Sequence, residues 1–208
     1  MKYLEALNWR YAVKAFSDKT LDAHHIDGLI ESTRLSASAF GLQPYKLIVI
    51  SNDALKRDLL PFCYGQEKVA ECSHLLILAN KTYITEKDIT FYIDELAATQ
   101  GSQRSQLQGY EDIISQNILA MNQSQQAAWA QQQCYLALGN ILSYAALNKF
   151  DACPMTGFDS TAINQVLDLN LQGLNAAIMC PVGYRSKTDH TANRPKYRKP
   201  TEQMVITL

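Results

Sequence analysis

The chain has 208 residues, 47% of them hydrophobic, and a formal net charge of -1. That is enough for one globular domain over residues 1–208, and too balanced in charge to favour nucleic acid or an anionic membrane surface as a main partner. No apolar run approaches the roughly 20 residues of a membrane span, and Met1-Lys2-Tyr3-Leu4-Glu5 lacks a signal peptide's apolar stretch, so a cytoplasmic location is expected. The five cysteines form no Cys-x-x-Cys pair and suit reduced core positions. His24 and His25 are adjacent, His74 and His190 isolated, so no metal site is expected.

In chain order, Leu4 and Leu7 predict a short amphipathic opening helix. Arg10 and Lys14 follow, four residues apart. If the helix continues they share a face, and like charges so placed either hold an anion between them or stand as two solvated cations. Asp22 predicts an N-cap for a helix running to about Leu35. The turn-rich stretch Ser36–Tyr45 feeds an apolar strand at 46–50, and a short helix holding Lys68 precedes a second at 74–80. Near-continuous apolar strands predict a sheet covered on both faces, hence an α+β class.

From Thr85 to Ser124 the chain is polar, Gln-rich and helix-compatible, either an excursion covering a pocket or partner or a plain surface hairpin of helices. Tyr135–Leu147 is apolar on nearly every side, which predicts a buried helix whose Asn140 and Ser143 find interior or partner-chain bonds. After it, Asn148–Asp159 predicts a rigid turn with free N–H groups aimed outward, Gly157 allowing geometry that a Cβ forbids and Asp159 capping the next helix. A simple connection between helices is the alternative. A strand is expected at 176–182, then a basic stretch at 194–200, then a strand-like tail at 204–208 that needs a sheet edge.

Taken together, Arg10-Tyr11-Ala12-Val13-Lys14-Ala15-Phe16, Ser36 through Gln43-Pro44-Tyr45, Pro154-Met155-Thr156-Gly157-Phe158-Asp159 and Pro195-Lys196-Tyr197-Arg198 resemble the nitroreductase family. The resemblance is strongest to its branch of oxygen-insensitive NAD(P)H nitroreductases and bacterial major flavin reductases. It implies a central, mostly antiparallel sheet flanked by helices, with a domain-swapped C-terminal strand in an intertwined homodimer. It implies tightly but non-covalently bound FMN, NAD(P)H as reductant, and two active sites each built from both chains. Arg10, Lys196 and Arg198 then match the phosphate-holding positions, and Lys14 and Lys68 the lysines at the pyrimidine edge of the flavin. The backbone N–H groups of Thr156 and Gly157, in the turn with Pro154 and Met155, match the donors near N5 and O4, and Tyr11 and Ala12 lie in the first cofactor-binding segment. From the other chain, Ser36, Ala37, Ser38, Gly41 and Gln43 belong to the loop closing over the ring, while Phe40, Tyr64 and Leu119 line the substrate slot.

The chain departs from the family's close members, which usually carry His, Ser or Thr at Tyr11 and Ala12, Ser at Ala39, Asn at Gly41 and Gly65, and Glu at Thr156. Cations and backbone donors remain, so FMN binding is expected, and losing an anion at Thr156 is expected to raise the flavin potential. Leu119 stands where an aromatic is common, which implies a more open entrance. The implied activity is ping-pong hydride transfer from NAD(P)H through FMN N5 to a small-molecule acceptor such as a nitroaromatic, quinone or flavin, with no catalytic acid from the protein. The alternatives are a flavin store or redox sensor with little turnover, or a specialised reductase of a pteridine or enone.

Overall fold

A computed structural model describes residues 2–208. Four strands, β1 (Tyr45–Ile50), β2 (His74–Lys81), β3 (Asp151–Ala152) and β4 (Leu174–Gly183), form one antiparallel sheet in the order β1-β2-β4-β3. β1, β2 and β4 cover the three apolar runs expected to be strands. Side chains alternate across β2 because the strand period is two. Leu75, Ile77 and Ala79 join one core with Leu59, Val69 and Ile163. Leu76 and Leu78 join another with Leu29, Ile141 and Phe150. The first core is closed by helices α3 (Asp53–Leu59), α4 (Lys68–Glu71) and α8 (Ser160–Val166), the second by α2 (Ala23–Arg34) and α7 (Gln123–Leu147). Leu78 pairs with Ile178 and Ala79 with Ala176, so Ala177 is the extra residue of a bulge, which re-phases β4 between the two cores.

Helices α5 (Glu86–Gln100) and α6 (Gln108–Ile118) are the excursion. They have a small core of their own, Ile89, Ile93, Ile114 and Ile118, against which Phe40, Leu119 and Trp129 pack. A capping box between Thr85 and Asp88 starts α5, and Gly101 at φ 63 ends it. Among the described residues no helix is long and apolar enough to cross a membrane.

Four expectations are corrected. The opening helix α1 (Tyr3–Trp9) stops before Arg10, which is extended, and Ala12 bridges in parallel to Ala152, so Arg10 and Lys14 share no helical face. Asp22 caps α2 without a side-chain bond. Helix α7 is only partly buried: Cys134, Ala137, Leu138 and Ile141 face the core, while Tyr135, Leu136, Gly139, Asn140 and Leu147 are exposed. Gly157 has no left-handed φ, and a Cβ there would meet only Gln66 Nε2 at an ordinary 3.5 Å. Beyond these four, Thr201–Met204 forms a helical turn (α9), and Val205–Leu208 after it is exposed and pairs with no described strand of its own chain. By contrast Asp159 does cap α8, accepting from Ala162 N at 3.1 Å.

Candidate functional site

The last carbonyls of a helix lack intrahelical donors and carry partial negative charge. At the end of α1 this attracts Lys196, whose Nζ donates to Asn8 O and, at 2.8 Å, to Arg10 O. That bond brings the basic C-terminal stretch onto the N-terminal segment. Arg10 and Arg198 then lie close enough for their charges to interact: burial and then Arg198 hold the Arg10 guanidinium below its ordinary pKa, and burial followed by Arg198, Arg10 and Arg185 does the same to Lys196. Among the described residues none of Arg10, Lys196 and Arg198 has a carboxylate within 4.0 Å. Three cations therefore converge without an anion.

Arg185 beside them is neutralised. Its Nη2 and Nε donate to the buried Asp151 carboxylate at 2.7 and 3.0 Å, and its guanidinium stacks on Trp9 and Tyr11 with centroid distances of 4.3 and 4.5 Å. A second buried carboxylate, Asp189, holds the Tyr11–Ala15 segment. It accepts from Tyr11 Oη (3.2 Å), Lys14 N (2.7 Å), Ala15 N (3.3 Å), Thr191 N (2.8 Å) and Thr191 Oγ1 (2.6 Å). Burial pushes this carboxyl's pKa up, but the Thr191, Lys14 and Ala15 donors outweigh burial and keep it far below the carboxylate range. The Lys14 side chain is exposed.

The bridge from Ala12 to Ala152 sets this segment beside the turn at 153–159. Met155 exchanges bonds with Met179 at 2.8 and 3.0 Å, and Cys153 N donates to Pro181 O at 3.0 Å, so Pro154 and Met155 are tied to β4. Thr156 and Gly157 are exposed, and among the described residues their N–H groups donate to no acceptor. Gln66 Nε2 donates to Gly157 O at 2.8 Å and to Cys63 O at 3.0 Å, joining the turn to the loop before α4. There Lys68 is 7% exposed, and its ammonium has neither a carboxylate nor a hydrogen-bond acceptor among the described residues. Its charge lowers the Cys63 pKa, but burial dominates and pushes that thiol up to about 11. Tyr64, in the same loop, is 70% exposed.

The Ser36–Gln43 loop is a separate group. Asn140 Nδ2 donates to Ser36 Oγ at 2.8 Å, Gln43 N to Ser38 Oγ at 2.9 Å, Gln43 Nε2 to Arg34 O at 2.7 Å, and Ala39 N to Gln133 Oε1 at 2.9 Å. Ala37 is exposed. Phe40 (φ 58), Gly41 (φ 74) and Gln43 (φ 43) all adopt left-handed backbone, which costs a non-glycine residue about 1–3 kcal/mol and persists only where surrounding contacts enforce it. Here the Phe40 carbonyl accepts from Tyr92 Oη at 2.7 Å and Tyr110 Oη at 2.9 Å. Phe40 and Leu119 share the excursion's core. No hydrogen bond or ion pair joins this loop to Tyr64 or the cation cluster among the described residues.

A model of the nitroreductase family matches residues 7–184. The chain belongs to that family. The major NAD(P)H-flavin oxidoreductase of Aliivibrio fischeri is 29% identical over 209 residues, with 96% of this chain and 95% of that protein covered. Among solved structures, a nitroreductase family protein of Streptococcus pneumoniae superposes with a TM-score of 0.84 at 22% identity over 100% of both chains. An Exiguobacterium sibiricum protein solved in complex with FMN does so at 0.84 and 15% identity, over 100% of this chain and 98% of that one. The nitroreductase fold is accordingly the fold of this chain.

Reading residues in order misses Arg185, Asp151, Asp189, Gln66, Tyr92 and Tyr110. Asp189 followed two residues on by Thr191 is a local signal, a short side chain bonding nearby backbone. The others are joined to their site partners mainly over long separations, which leave no such mark. His24 and His25, judged to lack ligand spacing, each bring a ligand atom within 4.8 Å of Asp22 and of one another. They do so at the positive end of α2, with Lys19 close enough to lower the His25 pKa after burial and His24.

Proposed function

We propose that the chain is an FMN-dependent oxidoreductase that takes electrons from NADH or NADPH and passes them, by a ping-pong cycle in one shared slot, to a flat electrophile such as a nitroaromatic, quinone or flavin. The observation carrying this reading is the convergence of Arg10, Lys196 and Arg198 with no counter-anion beside a turn whose N–H groups have no acceptor. Preorganised donors of this kind suit a phosphate and an electron-rich ring edge. FMN, when bound, supplies a ring nitrogen that accepts and donates hydride.

The chain supplies binding and electrostatics. Arg10 and Arg198 are the guanidinium groups assigned to the phosphate, and Lys196 fixes the C-terminal stretch to α1, which brings the two charges together. Lys68, whose ammonium has no carboxylate partner among the described residues, and Lys14, exposed, favour negative charge at the pyrimidine edge. Thr156 N–H and Gly157 N–H orient the ring, and Tyr11, Ala12, Pro154 and Met155 form the floor behind them. Burial and the Asp189 charge push the Tyr11 hydroxyl far above its ordinary pKa, so it is a poor proton donor to the ring. The proton comes from water.

We further read the working form as a homodimer. Tyr135, Leu136 and Leu147 on α7, and Tyr3 and Leu4 on α1, are large exposed apolar groups, and β1 has a partner on one side only. A second copy covers the first, and the exposed tail Val205–Leu208 offers a strand to the second. Ser36, Ala37, Ser38, Phe40, Gly41, Gln43 and Leu119 of one copy then close the slot that Tyr64 borders in the other. Purified protein should be yellow, sediment at twice the chain mass, and lose its visible flavin bands on anaerobic addition of NADH or NADPH. A colourless protein that takes up no added FMN rejects the proposal.

A further inference from the structure

We propose that Tyr92 and Tyr110 are positioning residues for acceptor binding, setting the slot wall through the Phe40 carbonyl. This rests on the proposed function, in which Phe40 lines the slot.

Both hydroxyls donate to one carbonyl oxygen, at 2.7 and 2.9 Å, from two different helices, α5 and α6. The residue they grip is an aromatic at φ 58 and ψ 1, a conformation its side chain disfavours and its neighbours must impose. Gly41 completes the arrangement. It stands at φ 74, and a Cβ there would lie 2.6 Å from the Tyr92 hydroxyl, so glycine meets both the backbone requirement and the space the hydroxyl needs. Burial, and then the Tyr110 hydroxyl, raise the Tyr92 pKa, which favours the donating form of that hydroxyl. The Trp129 ring lies near Phe40, with ring centroids 6.4 Å apart. The loop and the helical excursion that carries Leu119 are thus joined at one oxygen atom. Whatever enters between them meets a wall whose spacing two hydroxyls determine.

Such residues touch no reacting atom, so they govern how well substrate is held rather than the hydride step at saturation. The test compares wild type with Tyr92→Phe, Tyr110→Phe and the double variant, each carrying its flavin as purified. Two readouts are taken: amide hydrogen exchange of Ala39–Leu42, and steady-state kinetics with benzoquinone and the bulkier menadione. In the double variant the loop amides should exchange at least about tenfold faster. KM for menadione should change about 3–10-fold while kcat stays within about twofold. Each single variant retains one donor and should show a smaller effect on both.

Unchanged exchange, or changed exchange with an unchanged KM in flavin-loaded double variant, overturns the proposal. So does a fall in thermal stability with kcat and KM declining together, which marks a merely structural pair. If the double variant does not fold, the single variants decide by the same criteria. If wild type holds no flavin, the proposed function falls and this inference falls with it; normal flavin content and turnover with an unmoved KM defeats only the inference.

Discussion

The two groups of residues assigned to the site differ in how their polar atoms are spent. In the Ser36–Gln43 loop the key side chains and the strained backbone have partners inside the chain: Ser36 with Asn140, Ser38 with Gln43, Ala39 with Gln133, Phe40 with two tyrosines. Around Arg10 the reverse holds, with Arg10, Arg198 and Lys68 lacking anions and Thr156 and Gly157 lacking acceptors. Satisfied groups hold a shape; like charges crowded together raise the energy of the free chain unless an anion completes them, while exposed N–H groups such as those of Thr156 and Gly157 are open to a ligand in place of water. Arg185 is the control inside the same cluster, since Asp151 already neutralises it.

The sharpest way to break this contrast is to remove the cations. Replacing Arg10 and Arg198 together with Ala should weaken FMN binding by about 100-fold or more, taking about 1.5–3 kcal/mol for each lost charged hydrogen bond, read by flavin titration of the stripped protein. The same double variant should leave the flavin-free chain at least as thermally stable as wild type, because like charges that repel are gone. Loss of stability in the flavin-free form would show that these arginines are structural and that the contrast is false.

Much of the fold could be read from residue order because its signals are local. β2 and β4 are long apolar runs, Asp159 caps α8, and Thr85 with Asp88 opens α5. The exposed face of α7 was not readable: apolar residues on all sides signal burial, and periodicity cannot distinguish a core from a surface awaiting a second chain. Convergence of Arg10 with Lys196, 186 positions apart, came only through family likeness, since charge spacing carries no information over that distance. Asp189, which reaches back 178 positions to Tyr11, had no such guide and was missed.

Asp189 sharpens the comparison from the scaffold side. Its folded-state pKa is depressed, so its stabilisation is fully present above the unfolded carboxyl value of about 3.9 and is lost as pH falls from there toward the folded value. Asp189→Asn keeps the shape, removes the charge, and should destabilise the fold at pH 7 by about 1–3 kcal/mol. It should also flatten the acid limb of a stability-against-pH curve below about pH 4. Denaturant melts at pH 3 to 7 check both. An acid limb identical to wild type would mean that other carboxylates dominate and that Asp189 is dispensable to the segment carrying Arg10 and Lys14.

The smallest effect is expected at Gln66, which lies on the boundary between the two kinds of group. Its amide is fully used, bonding Cys63 O and Gly157 O, yet what it steadies is the turn whose N–H groups are free. Gln66→Ala should cost about 1 kcal/mol of stability, the net worth of a neutral hydrogen bond, which alone says nothing about function. The discriminating readout is the bound flavin: a loosened Gly157 should shift its visible absorption and reduction potential while FMN affinity stays within about threefold, because the phosphate-binding cations are untouched. An unaltered flavin spectrum and potential in the variant would place Gln66 with the scaffold and leave the free N–H groups steadied by the Met155–Met179 bridge alone.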